Sequence, residues 1–225
     1  MIKPQRQLAA SHQPCSRISH QGRALDSRVS CGSFADLASR RYPLRALHSG
    51  EPDPLKSSMA ESLAWALNQA REQTLALVAD VPPHAMQLQV APDERHPAWI
   101  LGHLLLADSY LIHLLTNERL PDDFPELLER YGPASSPAAK VEYDSTDLLV
   151  DRLRQTNVVR VTRIAAMTAD ELAAPTPDRL LASVQPTIEH HVQSMVFHEG
   201  YHAGQLSSWR KAHGFAAVRW TMGPR

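Results

Sequence analysis

The stretch PAWILGHLLLADSYLIHLLT, Pro97–Thr116, decides the fold. Its leading proline suits the first position of a helix, where the missing N–H is not needed. Apolar residues then cover more than half of the helix circumference, well beyond the single stripe a surface helix carries. Such a helix has to be covered on most sides, and the chain supplies the cover. MAESLAWALNQAREQTLALV, Met59–Val78, aligns Leu63, Leu67, Ala70, Thr74 and Leu77 on one face and stops before Pro82 and Pro83. A third helix is expected from Ser145 or Thr146 to about Met167, carrying Leu148, Leu149, Leu153, Val158, Val161 and Ile164. TADEL reads as a capping box from Thr168 to Glu171, opening one short helix before another proline-punctuated loop. The last helix runs from near Pro186 to Gly214, with Lys211 and His213 in its final turn, where the helix dipole favours them. Between the second and third helices, Pro121, Pro125, Pro133 and Pro137 mark a long irregular crossover with one helical turn near PELLERY. No segment alternates with period two for the length of a strand. The expectation is all-α: a four-helix bundle with long crossover connections.

A net charge of −1, with 43% hydrophobic and 21% charged residues, describes an ordinary globular composition without the basic excess that phosphate backbones attract. Nucleic acid is therefore not an expected partner. No apolar run approaches the roughly 20 residues needed to cross a bilayer, and no secretory signal is found at the N-terminus, so neither a membrane nor a secreted location is expected. The protein is expected to be cytoplasmic.

Residues 1 to 50 differ from the rest. They hold eight Lys or Arg against Asp26 and Asp36, so they stand at +6 while the remainder stands at −7. Rich in Ser and Arg and lacking a sustained apolar period, this segment reads as a disordered tail, as a transit-like leader, or as an extension upstream of a true start at Met59. We place residues 1–58 outside the fold and the domain at 59–225. Both cysteines, Cys15 and Cys31, lie in that extension, so any metal site in the domain has to use His, Asp or Glu.

Twelve histidines is a high count, and most need no functional account. His12, His20 and His48 fall in the extension, His84 in a proline turn, and His213 at a helix end. Those on apolar stripes are different. In the last helix, positions 188, 191, 195, 198, 202, 205 and 209 share a face and read Ile, His, Met, His, His, Gln, Trp. An unpaired imidazole costs about 1–3 kcal/mol to bury, so His198 and His202 need something that satisfies both. In the second helix His103 occupies an inward position among Trp99, Ile100, Leu106 and Ala107. Three inward imidazoles from two helices are the three neutral ligands of an open metal site.

The segment FHEGYHAGQL, Phe197–Leu206, also contains HExxH, the helical signature of zinc peptidases. The third ligand of that chemistry is missing. No acid follows Glu199, Ser208 stands where a downstream ligand His belongs, and His213 lies about 16 Å further along the same helix. A HExxH metallohydrolase is thus a weak alternative. A di-iron bundle would pair the ExxH of Glu199 and His202 with a second such motif, but the nearest, Asp93 to His96, precedes its helix.

HPAWILGHLLLAD in the second helix, then HEGYHAGQLSSWRKAHG and the terminal RWTMG, resemble the DinB and YfiT-like metalloenzyme family over residues 59 to 225. The resemblance implies one divalent metal, nickel or zinc first with iron or manganese as other options, held by His103, His198 and His202. It further implies a metal-dependent enzyme, a transferase of low-molecular-weight thiols such as bacillithiol, mycothiol or glutathione, and a homodimer. The rival from another class is a non-catalytic metal-binding or stress-response protein; a third is that the histidines are purely structural. Glu199 is the candidate catalytic base or a hydrogen-bond partner of an imidazole, or else a solvated residue, since it lies about 100° around the helix from His198. Gln205 could orient His202 or touch substrate, or be a partly buried amide at a packing edge, and Gly200 and Gly204 are expected to admit a close neighbouring helix. His191 reads as a core residue or a partner of His198, and His96 as the residue that starts its helix. Trp99 and Tyr110 are assigned to the cavity wall or the core.

Overall fold

The computed structural model describes residues 58–136 and 142–219. The expectations for the extension, for its cysteines and histidines, for Pro137 and for Trp220–Gly223 of the terminal motif lie outside those residues. The described chain folds into seven helices: α1 (Met59–Val78), α2 (Pro97–Thr116), α3 (Phe124–Tyr131), α4 (Thr146–Ala165), α5 (Ala169–Ala173), α6 (Arg179–Ala182) and α7 (Ile188–Ala212). Among the described residues there is no strand, only one isolated bridge between Pro175 and Thr187.

Local chemistry sets most of the boundaries. Ser58 and Glu61 form a reciprocal capping box at the start of α1, and Thr168 and Glu171 do the same for α5. His96 is the N-cap of α2, its Nδ1 accepting from the Trp99 amide at 3.1 Å ahead of Pro97. That helix stops at Asn117, which takes the left-handed conformation Asn tolerates (φ 56°). Helix α7 is capped by Thr187 and released by Gly214 at φ 75°. The crossover holds more helix than expected, since α3 has eight residues and packs on α2.

Two clusters of buried side chains give the topology. Leu77, at the C-terminal end of α1, shares one cluster with Trp99 and Leu101 of early α2, Leu149 of early α4 and Leu206 and Trp209 of late α7. Ala60 and Leu63, at the other end of α1, share the second with Leu111 and Leu115 of late α2, Ile164 of late α4 and Ile188 and Val192 of early α7. Helices α1 and α7 are therefore parallel, and α2 and α4 run the opposite way. Parallel neighbours α2 and α4 need the long crossover that contains α3. Helix α1 packs on α4 and α7, α2 packs on α4, and α2 and α7 approach over a shorter stretch than these pairs. The candidate site lies in that looser seam.

Three expectations are corrected. Leu148 and Val158, placed on the inner stripe of α4, are 47% and 65% exposed, because the middle of the inner face belongs to Thr156, Asn157 and Arg160. Gly200 and Gly204 admit no helix: nothing lies within 4 Å of where a Cβ would stand on either, and both line an open groove beside the 90–95 loop. Helix α2 is in fact long and apolar enough to cross a membrane by length and composition, although most of it is buried inside the bundle.

Candidate metal centre

The seam between α2 and α7 brings His103, His198 and His202 together. The Nε2 of His198 lies 3.1 Å from that of His103 and 3.1 Å from that of His202, and one ligand atom from each of the three falls within 4.8 Å of the others. Two nitrogens bound to one ion at about 2.0–2.1 Å stand about 2.9–3.4 Å apart in octahedral or tetrahedral geometry. The spacing fits a shared ion.

Proton bookkeeping points the same way. His103 Nδ1 faces the Tyr131 carbonyl at 2.8 Å, and a carbonyl only accepts, so the proton is on Nδ1 and Nε2 carries a lone pair. His202 Nδ1 faces Gln205 Oε1 at 2.7 Å while the Gln205 amide nitrogen donates to the Tyr201 hydroxyl, which assigns the same tautomer. Both lone pairs aim at His198 Nε2, which has at most one proton to give. Three neutral imidazoles therefore leave lone pairs facing each other, and a cation relieves that conflict.

All three rings are uncharged at neutral pH. Burial pushes His103 down to about 4, aided by the charges of His198 and Arg95 and opposed by the Tyr131 carbonyl. Burial also pushes His202 to about 3, with the two neighbouring histidines adding to the effect. His198 is lowered by burial as well, against the opposing charges of Glu199 and Asp108. Neutral imidazole is the form that ligates.

The outer contacts are equally specific. The Trp99 ring stacks on His103 (centroids 4.6 Å apart, 12° between planes), and Trp99 is itself fixed by its indole N–H to Ser135 Oγ at 2.8 Å and by Arg95 at 4.0 Å over its face. Tyr131, fully buried, can deliver its carbonyl because α2 has Gly102 at the crossing, where a Cβ would lie 2.2 Å from the tyrosine ring. His96 is a cap and not a member of the cluster.

Glu199 is not solvated. It is 1% exposed and points into an ion network with one charged residue from each long helix. Arg71 Nε donates to Glu199 Oε1 at 2.6 Å and Arg71 Nη2 to Oε2 at 2.9 Å, while Arg160 Nη2 reaches Oε2 at 3.1 Å. Asp108 closes the ring, accepting from Arg71 at 3.0 Å, from Arg160 at 2.5 Å and from Thr156 at 2.7 Å. Burial by itself would raise the Glu199 carboxyl, but the charges and hydrogen bonds of the two arginines outweigh it and hold the group well below its ordinary value. This network is not among the sequence expectations, although Arg71, Asp108 and Arg160 each stand at core spacing among apolar residues of their helices.

A profile of the DinB superfamily matches residues 66–206, which holds all three histidines and the ion network. The chain belongs to the DinB superfamily. Its fold is also similar to that of a conserved protein from Enterococcus faecalis known from a crystal structure, with a TM-score of 0.56 and 18% identity, covering 68% of this chain and 95% of that one. Among curated proteins none matches the chain. In this DinB protein the three histidines could hold a metal ion.

Proposed function

We propose that His103, His198 and His202 bind one divalent metal, nickel or zinc before iron or manganese, and that the protein is a metal-dependent transferase acting on a small thiol. The observation that carries this is the convergence of three neutral Nε2 atoms, two of them held as lone pairs by Tyr131 and Gln205. Three protein nitrogens leave one or more positions open, as a catalytic site requires and a closed structural site does not. Bound there, the metal supplies Lewis-acid chemistry, lowering the pKa of a thiol at neutral pH.

The protein's own groups then have distinct tasks. Tyr131 and Gln205 fix the imidazole tautomers, and Trp99 covers one face of His103 against water. Glu199 is read here as a positioning residue and not as the base, because both of its oxygens are engaged by guanidinium groups and its proton affinity is low. The same engagement disfavours peptidase chemistry, in which that carboxylate has to take a proton from water.

Elemental analysis of untagged protein beside the His202→Ala variant tests the site. About one equivalent of metal per chain, lost in the variant, is expected. No metal in either, even after reconstitution with nickel, zinc, iron and manganese, would sink the metalloenzyme reading and leave three core histidines. If metal is present, the cobalt-substituted protein is expected to change its visible spectrum on adding a thiol, and silence toward a thiol panel would favour a non-catalytic metal binder.

A further inference from the structure

The α2–α7 seam carries a second polar cluster. Tyr110 lies seven residues beyond His103 on α2, and His191 lies seven before His198 on α7. Because the two helices are antiparallel, both steps run in the same direction, about 10 Å along the seam from the three histidines. Asp178, the N-cap of α6, is held at this level by Tyr110, whose hydroxyl proton its Oδ2 accepts, and its negative charge favours the protonated form of His191.

His191 is 5% exposed, and its position on the stripe of His198 and His202 aims it into the seam. Its Nδ1 is hydrogen-bonded to Gln185 Oε1, while the Gln185 amide nitrogen donates to Ser194 Oγ at 2.7 Å. The glutamine is thereby oriented with its oxygen toward the ring, so Nδ1 bears the proton and Nε2 is an acceptor. That Nε2 is buried with no hydrogen-bond partner in the structure. Leaving such a group unmet is unfavourable, so the position calls for a donor.

The chemistry of the cluster is one-sided. The Asp178 carboxylate, the remaining lone pairs of the Tyr110 oxygen and His191 Nε2 all accept, and none has a free proton to offer. Asp178 keeps its negative charge, being held below the ordinary carboxylate range by Tyr110 and by the amides of Leu181 and Leu180. Acceptors grouped around a fixed negative charge suit a primary ammonium. We propose that Tyr110, Asp178 and His191 form a subsite for the ammonium group of the substrate whose other end reaches the metal. The substrate is then an amine-bearing thiol with about 10 Å between its two polar ends. This rests on the thiol reading of the metal centre.

The test uses the full chain loaded with cobalt and titrated with two series of thiols of graded length, one ending in an ammonium and one in a hydroxyl. Asp178→Asn is the chosen variant because asparagine still caps α6 while the charge is removed. Ammonium thiols of matching length should bind about tenfold more tightly than their hydroxyl counterparts in the native protein and no more tightly in the variant. Equal affinities in the native protein, or a preference that survives in the variant, overturns the subsite. A second measurement separates this from the metal reading. Butylammonium titrated into metal-free protein labelled with nitrogen-15 at histidine should shift His191 Nε2 in the native chain and not in Asp178→Asn, with butanol silent in both. If no thiol perturbs the cobalt but the amine moves His191, the thiol chemistry fails and the ammonium subsite stands; if the amine moves nothing, the subsite fails.

Discussion

At the scale of single residues, the candidate centre depends on neighbours that never touch the ion. Gln205 fixes the His202 tautomer from one turn away, and outer partners of this kind typically contribute 10–100-fold in metal affinity. Gln205→Leu should therefore weaken zinc binding by about 10–100-fold in a chelator competition while the metal-free protein melts almost unchanged. An affinity equal to the native value would show that the amide is a bystander. Protons give a second prediction. His96 and His103 are pushed down to about 4 and His202 to about 3, chiefly by burial, against about 6.5 in an unfolded chain. Between those values the unfolded state holds more protons, so stability rises with pH across the window and flattens above about 6.5. The unfolding free energy of the metal-free protein from urea titrations should fall on acidification from about pH 6.5, by up to about 1.4 kcal/mol per pH unit for each histidine, and the midpoint with it. A midpoint unchanged down to about pH 5 would mean that these rings are not buried and neutral. Glu199 adds its own loss only at lower pH, since a carboxylate held below its ordinary value loses its contribution once it takes a proton. His103, His198 and His202 were legible in the sequence because imidazoles on apolar stripes are anomalous at any resolution. The Tyr131 carbonyl was not, being a backbone acceptor brought 28 residues along the chain to His103 by tertiary packing.

At the scale of elements, each long helix contributes one charged residue to a shared buried network. Arg71, Asp108, Arg160 and Glu199 bring two positive and two negative groups, so the cluster is neutral as a whole and costly to break in part. Arg71→Met should destabilise the protein by about 3–5 kcal/mol, because Glu199 keeps its charge and loses its closest partner. Adding Glu199→Leu should recover part of that loss, a coupling that a double-mutant cycle in urea measures; strictly additive effects would show that the two do not interact. Gly102 is a sharper case. On an open helix, Gly→Ala gains about 1 kcal/mol. Here a Cβ would collide with the Tyr131 ring, so Gly102→Ala should instead cost about 1–3 kcal/mol and lower metal affinity with it. A stabilised variant would refute the role assigned to this crossing. The helices themselves were readable from their period, from the Thr168–Glu171 capping box and from the prolines at their ends. The inner face of α4 departs from its apolar pattern, because Thr156, Asn157 and Arg160 are buried where Leu148 and Val158 are exposed. The burial of those polar residues depends on partners from three other helices, which no single-helix pattern contains.

At the scale of the whole molecule, α1 and α7 run one way and α2 and α4 the other, and the three histidines lie where α2 and α7 approach over a shorter stretch than the other pairs. Because Ser58 and Glu61 already cap α1, we expect removal of residues 1–57 to leave the melting temperature and the metal stoichiometry unchanged. A large drop in either would give the extension a part in the fold. By itself the amino-acid sequence determined the helical class, the approximate extent of the four long helices and the three histidines that face inward, since these follow from local spacing, capping and the cost of burying imidazole. Tertiary structure alone decided that Glu199 is a buried partner of two arginines, that Gly200 and Gly204 border a groove rather than a helix, and that Asp178 accepts from Tyr110. Each of these depends on which helix stands opposite and at what height, and such pairings join residues tens of positions apart whose spacing along the chain carries no trace of them.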